Sequence, residues 1–290
     1  MSTPLSNGAP PVQKVSLTWL YVPGDRPEVV AKALRSGADT VIVDLEDAVA
    51  PDRKRYALDA TEELLSTPPA LAQKRVQVQV RVNALGGPWA EAEVRRLVGL
   101  PGLAGLRLPK VESAGQLARV ADWAGDRPVP PLFPLLESAL GLEAAFAVAG
   151  GHPAVAGIAL GEADLRADLG IASDEGLAWA RGRAVVAARA AGLPPPAQSV
   201  YPDVRDLTGL AASCATGRAL GFLGRTALHP RQLPVIEEAF LPTAAEIAAA
   251  REVLAAAEAE AGALALADGR FVDAAVVAGA RRTLALAARC

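Results

Sequence analysis

The chain has 290 residues, 51% hydrophobic and 21% charged, a balance that excludes a disordered chain and supplies one large core. Its 29 Lys and Arg nearly cancel 32 Asp and Glu; the net charge of -3 and the lack of a long basic block argue against a nucleic-acid partner. The 2 cysteines, Cys214 and Cys290, are far apart and form no zinc or disulfide spacing, which fits a reducing cytoplasm.

In chain order, residues 1–15 read as an N-terminal extension without the basic start and apolar stretch of a signal peptide. No later apolar run is long enough to span a membrane, so a cytoplasmic protein is expected. From Thr18 onward, short β-branched runs alternate with helical patterns, the signature of βα units. The predicted strands are Thr18–Val22, Thr40–Leu45, Gln77–Val82, Leu106–Leu108, Leu132–Leu136, Val155–Leu160, Ser199–Tyr201 and Arg225–Leu228. The helices that follow them in turn are Pro27–Ser36, Arg53–Leu65, Trp89–Val98, Ala114–Ala124, Leu140–Ala149, Asp174–Ala191, Arg205–Leu220 and Arg231–Phe240. Such pairs close into a (β/α)8 TIM barrel over residues 16–241. An Ala-rich helix, about Ala244–Gly262, a break at Ala267-Asp268-Gly269 and a last helix from about Asp273 make residues 242–290 a C-terminal helical appendage. The expected class is therefore α/β, a barrel with extra C-terminal helices.

In a barrel of this kind the loops after the strands form the active face, so polar strand ends are informative. The second strand runs into Asp44-Leu45-Glu46-Asp47, the third into Arg81-Val82-Asn83 and the fourth into Leu108-Pro109-Lys110. The fifth ends in Glu137-Ser138, and the sixth is followed by Gly161-Glu162-Ala163-Asp164. Each alone reads equally well as a surface charge, but together they place several carboxylates on one rim. Such a cluster repels itself unless a cation sits among its members. With only His152 and His229 and no cysteine pair, hard oxygen donors favour Mg²⁺ or Mn²⁺, for which two carboxylates suffice when water and substrate oxygens complete the shell. Arg81 offers a fixed fork to an anionic substrate; the structural alternative pairs it with Glu46 or Asp47. Lys110 suits a Schiff base only if its pKa falls, and nearby acids oppose that. His229 reads either as a proton carrier or as a structural histidine, and Cys214 as a core residue.

Leu20-Tyr21-Val22-Pro23-Gly24-Asp25-Arg26-Pro27, Asp44-Leu45-Glu46-Asp47-Ala48-Val49, Arg81-Val82-Asn83, Leu108-Pro109-Lys110-Val111-Glu112 and Gly221-Phe222-Leu223-Gly224 through His229-Pro230 together resemble the citrate lyase β-subunit family. That family belongs to the CoA-thioester lyases, with malyl-CoA and citramalyl-CoA lyases among its relatives. The resemblance runs from about Ser16 to the C-terminus with the motifs in the same order. It implies a barrel assembled as a homotrimer or hexamer, with Mg²⁺ held by Glu137 and Asp164. It also implies that Arg81 contacts the substrate carbonyl and carboxylate, and that Glu46 and Asp47 hold metal-bound waters or position Arg81. Lys110 is grouped with the substrate-binding residues. A tail motif, Gly269-Arg270-Phe271-Val272-Asp273, makes Asp273 a candidate acid/base in a neighbouring subunit's site, although the proline often following this aspartate is replaced by Ala274. The sixth loop also departs from relatives, which place an acidic residue directly before the aspartate.

The implied activity is Mg²⁺-dependent cleavage of a citryl or related 3-hydroxyacyl thioester, on CoA or an acyl carrier protein, into a 2-oxo acid such as oxaloacetate and an acetyl thioester. The alternative keeps the site and changes the substrate: a malyl-CoA or citramalyl-CoA lyase with malate synthase or thioesterase activity. A non-catalytic thioester-binding subunit is the third reading.

Overall fold

β-Branched runs become strands where both of their faces are covered. Thr40–Asp44, with all 5 residues buried, is the clearest case. The computed structural model describes residues 15–66, 76–259, 264–266 and 269–289. Apart from Val15, the predicted N-terminal extension lies outside them, as do the end of the predicted helix Ala244–Gly262 and the Ala267-Asp268 pair. Contacts divide the chain into two units, one of them Leu17–Phe240 and the other containing Leu241–Cys290.

The first unit holds a parallel sheet of strands β1 (Thr18–Pro23), β2 (Thr40–Asp44), β3 (Gln77–Arg81), β4 (Gly105–Leu108), β5 (Leu132–Leu136), β6 (Ala159–Leu160) and β7 (Arg225–Ala227). Their spatial order is β6-β5-β4-β3-β2-β1-β7. Each strand lies beside its sequence neighbour until β7 returns to the free edge of β1, the order of a singly wound, rolled sheet. Register pairs Asp44 with Arg81 and Arg81 with Arg107, which puts three ionisable side chains of adjacent strands on one face.

Helices α1 (Pro27–Ala33), α2 (Lys54–Ser66), α3 (Ala90–Leu97) and α4 (Ala114–Ala124) follow the first four strands. In α3, Ala90, Glu93, Val94 and Leu97 are buried at helical spacing. A capping box between Ser113 and Gln116 starts α4. The expected helix Leu140–Ala149 is instead two short ones, α5 (Ala139–Glu143) and α6 (Ala145–Ala149). After β6 the chain enters α7 (Glu162–Leu169) at once, ahead of α8 (Ala178–Ala190), and α9 (Leu207–Ala219) and α10 (Leu233–Phe240) close the unit.

The eight-stranded count is corrected here. Ser199–Tyr201 forms no strand; the segment meets the sheet through one bridge, Gln198 to Arg225, with Gln198 N donating to Gly224 O and Thr226 N to Gln198 O. Pro194-Pro195-Pro196 before it and Pro202 after it lack backbone N–H groups, so a ladder cannot extend. The sixth strand shrinks to Ala159–Leu160, with a separate bridge from Val155 to Leu132. The sheet is parallel and rolled, and no ladder among the described residues joins β6 to Gln198.

In the second unit, α11 (Ala244–Ala259) and α12 (Ala274–Ala287) flank an antiparallel pair, β8 (Leu264–Ala265) and β9 (Phe271–Val272). Ala250, Val253, Leu266, Val272 and Ala280 form its core. The hairpin replaces what the sequence reads as a plain break, because its strands are only 2 residues each and carry no periodicity. No helix among the described residues is long and apolar enough to cross a membrane.

Candidate active site

Asp44 ends β2 fully buried, and its carboxylate makes four bonds. Oδ1 accepts from Arg81 Nε at 2.7 Å and Glu46 N at 2.9 Å; Oδ2 accepts from Arg81 Nη2 at 2.7 Å and Ala48 N at 3.1 Å. One side chain thus grips Arg81 in a bidentate fork and turns the chain after the strand. Arg81 Nη1 lies 2.8 Å from Glu46 Oε2 and 3.5 Å from Asp47 Oδ2, and its guanidinium sits 5.0 Å from the Tyr21 ring centre. Burial opposes the Arg81 charge, but the hydrogen bonds and field of Asp44, then Tyr21 and Glu46, outweigh it and raise the pKa. The sequence alternative paired Arg81 with Glu46 or Asp47; its main partner is Asp44.

Lys110 Nζ donates to Glu46 Oε1 at 2.6 Å. Glu46 Oε2 is close to Arg81 yet out of line with its N–H bonds, so no donor is directed at this buried oxygen. Burial pushes the Glu46 carboxyl up, with Arg81 and Lys110 pulling the other way. Lys110 is the one non-glycine among the described residues with positive φ, 54°, a conformation that costs roughly 1–3 kcal/mol. That turn aims its backbone N–H at Glu137 Oε2, 3.1 Å away. Burial works against the ammonium, but Glu46, Asp47 and Glu137 prevail and raise its pKa, the opposite of what a Schiff-base lysine needs.

Glu137 follows β5 and is 4% exposed. Burial, then the Glu46 and Asp164 carboxylates, push its pKa up to about 7. Gly161 makes room for it: a Cβ there would come within 2.7 Å of Glu137 Cδ and closer still to Cγ and Oε1. Directly beyond, Glu162 is committed to Arg181 through two 2.8 Å bonds, whereas Asp164, one residue past Ala163, stays exposed in the first turn of α7.

A cavity of about 140 Å³ gathers Tyr21, Asp47, Arg81, Arg107, Glu137 and Asp164, with Gln198 and Thr226 also on its wall. Glu46 and Lys110 do not line it but touch residues that do. Asp273 belongs to the other unit, where it is the N-cap of α12 and accepts from Val276 N at 2.9 Å. His229 Nδ1 accepts from Arg231 N at 3.1 Å and caps the turn Pro230–Gln232. Cys214 is buried in α9. Two residues that shape the site, Arg107 and Gly161, have no role in the sequence reading, and Asp44 enters it only as one of three acids after the second strand. Arg107 is visible as a lone charge between two leucines, whereas Gly161 gives no such signal.

The donors suit a hard divalent cation. Only oxygens are on offer, and buried Glu137 is repelled by two other carboxylates. No group of three or more His, Cys, Asp or Glu among the described residues converges as a ready cage, so water and substrate oxygens would complete the shell.

Residues 17–230 match the family model described as HpcH/HpaI aldolase/citrate lyase. A (3S)-malyl-CoA thioesterase of Cereibacter sphaeroides is 37% identical over 278 residues, covering 92% of this chain and 93% of that protein. The crystal structure of CitE from Mycobacterium tuberculosis, in complex with magnesium, acetoacetate and coenzyme A, superposes with a TM-score of 0.80 at 33% identity, covering 94% of this chain and 98% of the other. The Mycobacterium tuberculosis citrate lyase β-subunit complexed with oxaloacetate and magnesium gives a TM-score of 0.66 at 32% identity, over 78% and 97% of the two chains. By sequence across nearly its whole length, and by fold, the chain belongs to the HpcH/HpaI aldolase/citrate lyase family.

Proposed function

We propose that this chain is a Mg²⁺-dependent carbon–carbon lyase that cleaves a citryl or related 3-hydroxyacyl thioester, on CoA or an acyl carrier protein, into a 2-oxo acid such as oxaloacetate and an acetyl thioester. One observation carries the reading: Arg81, Glu137 and Asp164 line one cavity. Glu137 and Asp164 would hold the cation, whose chemistry when bound is to polarise the oxo-acid carbonyl as a Lewis acid. Asp44 keeps Arg81 charged and aimed, so that Arg81 donates to the oxygen on which negative charge develops. Glu46 and Asp47 hold Arg81 from the other side, and Asp47, which lines the cavity, would present a carboxylate oxygen to metal-bound water. Lys110 neutralises Glu46 and orients Glu137 through its backbone, beside the bound substrate.

In cleavage a carboxylate takes the proton of the 3-hydroxyl, the carbon–carbon bond breaks to leave the oxo-acid carbonyl, and the departing thioester enolate is reprotonated at carbon. Asp273 of a neighbouring subunit is our choice for that carboxylate. The same reading includes a (β/α)8 TIM barrel, a tail appended at about residue 242, and a cytoplasmic homotrimer or hexamer.

The second reading is a malyl-CoA or citramalyl-CoA lyase with thioesterase activity, favoured by the 37% identity to a protein named malyl-CoA thioesterase. A panel of citryl-, malyl- and citramalyl-CoA with Mg²⁺ separates the two when oxo acid and free CoA thiol are measured together. Lyase action releases oxo acid and keeps the thioester; added hydrolysis releases thiol as well. Turnover that survives EDTA, or that persists in Glu137→Ala or Asp164→Ala, defeats the metal assignment.

A further inference from the structure

A second arginine, Arg107, borders the same cavity, and no acid among the described residues balances it. Arg107 leaves β4 in register with Arg81 of β3, so both side chains project from the same face of the sheet. It is 4% exposed. Its Nε donates to Gln79 Oε1 at 2.9 Å; the Phe133 ring centre lies 5.7 Å away, the Tyr21 hydroxyl is a further polar neighbour, and the like charge of Arg81 acts on it. No carboxylate among the described residues pairs with it. Burial lowers the Arg107 pKa, whereas the acids around Arg81 raise that one.

Buried charges are ordinarily paired, and an apolar side chain of similar size in this place would favour folding. A violation of that rule inside a functional cavity points to a ligand that supplies the missing partner. Carboxylates Glu137 and Asp164 line the cavity as candidates for a cation, and Arg107 lines it together with Arg81, Gln198 and Thr226; Arg107 also borders a second cavity beside Trp19 and Phe133. At about 140 Å³ the first cavity holds several waters and suits a small organic acid.

We propose that Arg107 is a specificity-determining residue whose guanidinium receives the second carboxylate of a dicarboxylic 2-oxo acid. This rests on the lyase reading above, in which a cation held by Glu137 and Asp164 would engage the oxo group; the first carboxylate would lie beside it. An acid with one carboxylate, such as pyruvate or glyoxylate, leaves Arg107 desolvated and unpaired. A dicarboxylate such as oxaloacetate supplies a fork-matched counter-charge. The penalty for leaving a buried polar group without its partner is what makes such a site selective.

The test is equilibrium binding by calorimetry, with Mg²⁺ present, of oxaloacetate against pyruvate and of the stable analogues malate against lactate. It uses the full-length protein, Arg107→Met and Arg107→Lys, with a thermal melt of each. Wild type is expected to prefer each dicarboxylate by at least about tenfold, and Arg107→Met to lose about 100-fold for the dicarboxylates, the worth of a charge-assisted pair. The monocarboxylates should move little, Arg107→Lys should recover part of the loss, and Arg107→Met should melt at a higher temperature than wild type. Equal weakening of both ligand classes in Arg107→Met overturns the proposal and leaves the lyase reading standing. Should that variant not fold, the wild-type ratio decides alone: no preference for the dicarboxylate overturns it. If no acid of either class binds in a Mg²⁺-dependent way, the lyase reading fails and takes this inference with it.

Discussion

Asp44 shows how much a single carboxylate can organise. It accepts from two nitrogens of Arg81 and from two backbone amides, so replacing it by Asn removes a charge and turns one acceptor into a donor facing Arg81. Breaking one side of a buried ion pair costs about 3–5 kcal/mol. Asp44→Asn is therefore expected to lower the urea midpoint strongly and to reduce kcat/KM by more than about tenfold, since Arg81 keeps only Glu46 and Asp47 as guides. An unchanged kcat/KM would mean Arg81 needs no such fork. Glu137 illustrates the converse, a carboxylate whose surroundings resist its charge. Its pKa in the folded, metal-free protein is raised from the ordinary 4.5 to about 7, so the folded state binds the proton more tightly than the unfolded chain does. The sign follows: this contribution to stability is fully present below about pH 4.5 and is lost as pH rises to 7. A divalent cation reverses the preference by favouring the carboxylate. The Mg²⁺-induced rise in melting temperature should accordingly be large at pH 8, fade below pH 7, and be absent in Glu137→Gln, which should itself outlast metal-free wild type at pH 8. A shift independent of pH across that window would place the cation elsewhere.

Between elements, the decisive contact is the passage of Glu137 across Gly161, where the end of β5 meets the turn from β6 into α7. Gly161→Ala would drive a methyl into the Glu137 side chain. The variant should keep its circular dichroism and melt within a few degrees of wild type, yet bind Mg²⁺ at least about tenfold more weakly, a small displacement being enough to spoil a ligand's aim. Normal metal affinity in that variant would show that Glu137 has another way to turn. Which parts of this arrangement were legible in the sequence depended on how locally each was encoded. The all-buried run of β2 and the acids after it announce a strand and an active rim, because the apolar stretch and its abrupt polar end lie within a few residues. The expected stave at Ser199–Tyr201 looked equally convincing, with a β-branched Val between Ser and Tyr. Flanking prolines that strip N–H groups from the ladder limited it to the Gln198 bridge, and Glu162 N reaching Ser199 Oγ at 3.4 Å does not replace a strand pairing with β6. Glu162 and Asp164 were indistinguishable as charges in one loop. Arg181, 19 residues further along, claims the first, and that separation is invisible to any local pattern.

At the scale of the whole molecule, the proposed lyase draws its proton carrier from a neighbouring chain's tail. Arg81, Glu137 and Asp164 belong to the unit Leu17–Phe240, whereas Asp273 lies in the unit containing Leu241–Cys290 and already caps α12 through one carboxylate oxygen. Capping and acid/base duty place different demands on the side chain, which allows them to be separated. Asn is as good an N-cap as Asp, so Asp273→Asn should melt near wild type, while Asp273→Ala loses about 1 kcal/mol of cap. Neither carries the ionisable group, so both should lose about 10²–10⁴-fold in kcat if Asp273 moves the proton. Assembly supplies the sharper arm. If Asp273 works in a neighbour's site, Asp273→Asn and Glu137→Ala are defective in different halves of a shared site. Mixing the two inactive proteins under conditions that exchange subunits should then regenerate some complete sites, each pairing an intact Glu137 with an intact Asp273 from the next subunit. Recovered turnover that rises with the extent of exchange would support the shared site. Full exchange without recovery would confine Asp273 to its helix cap and leave the proton to a group within the first unit, with Glu46 and Asp47 the next to substitute.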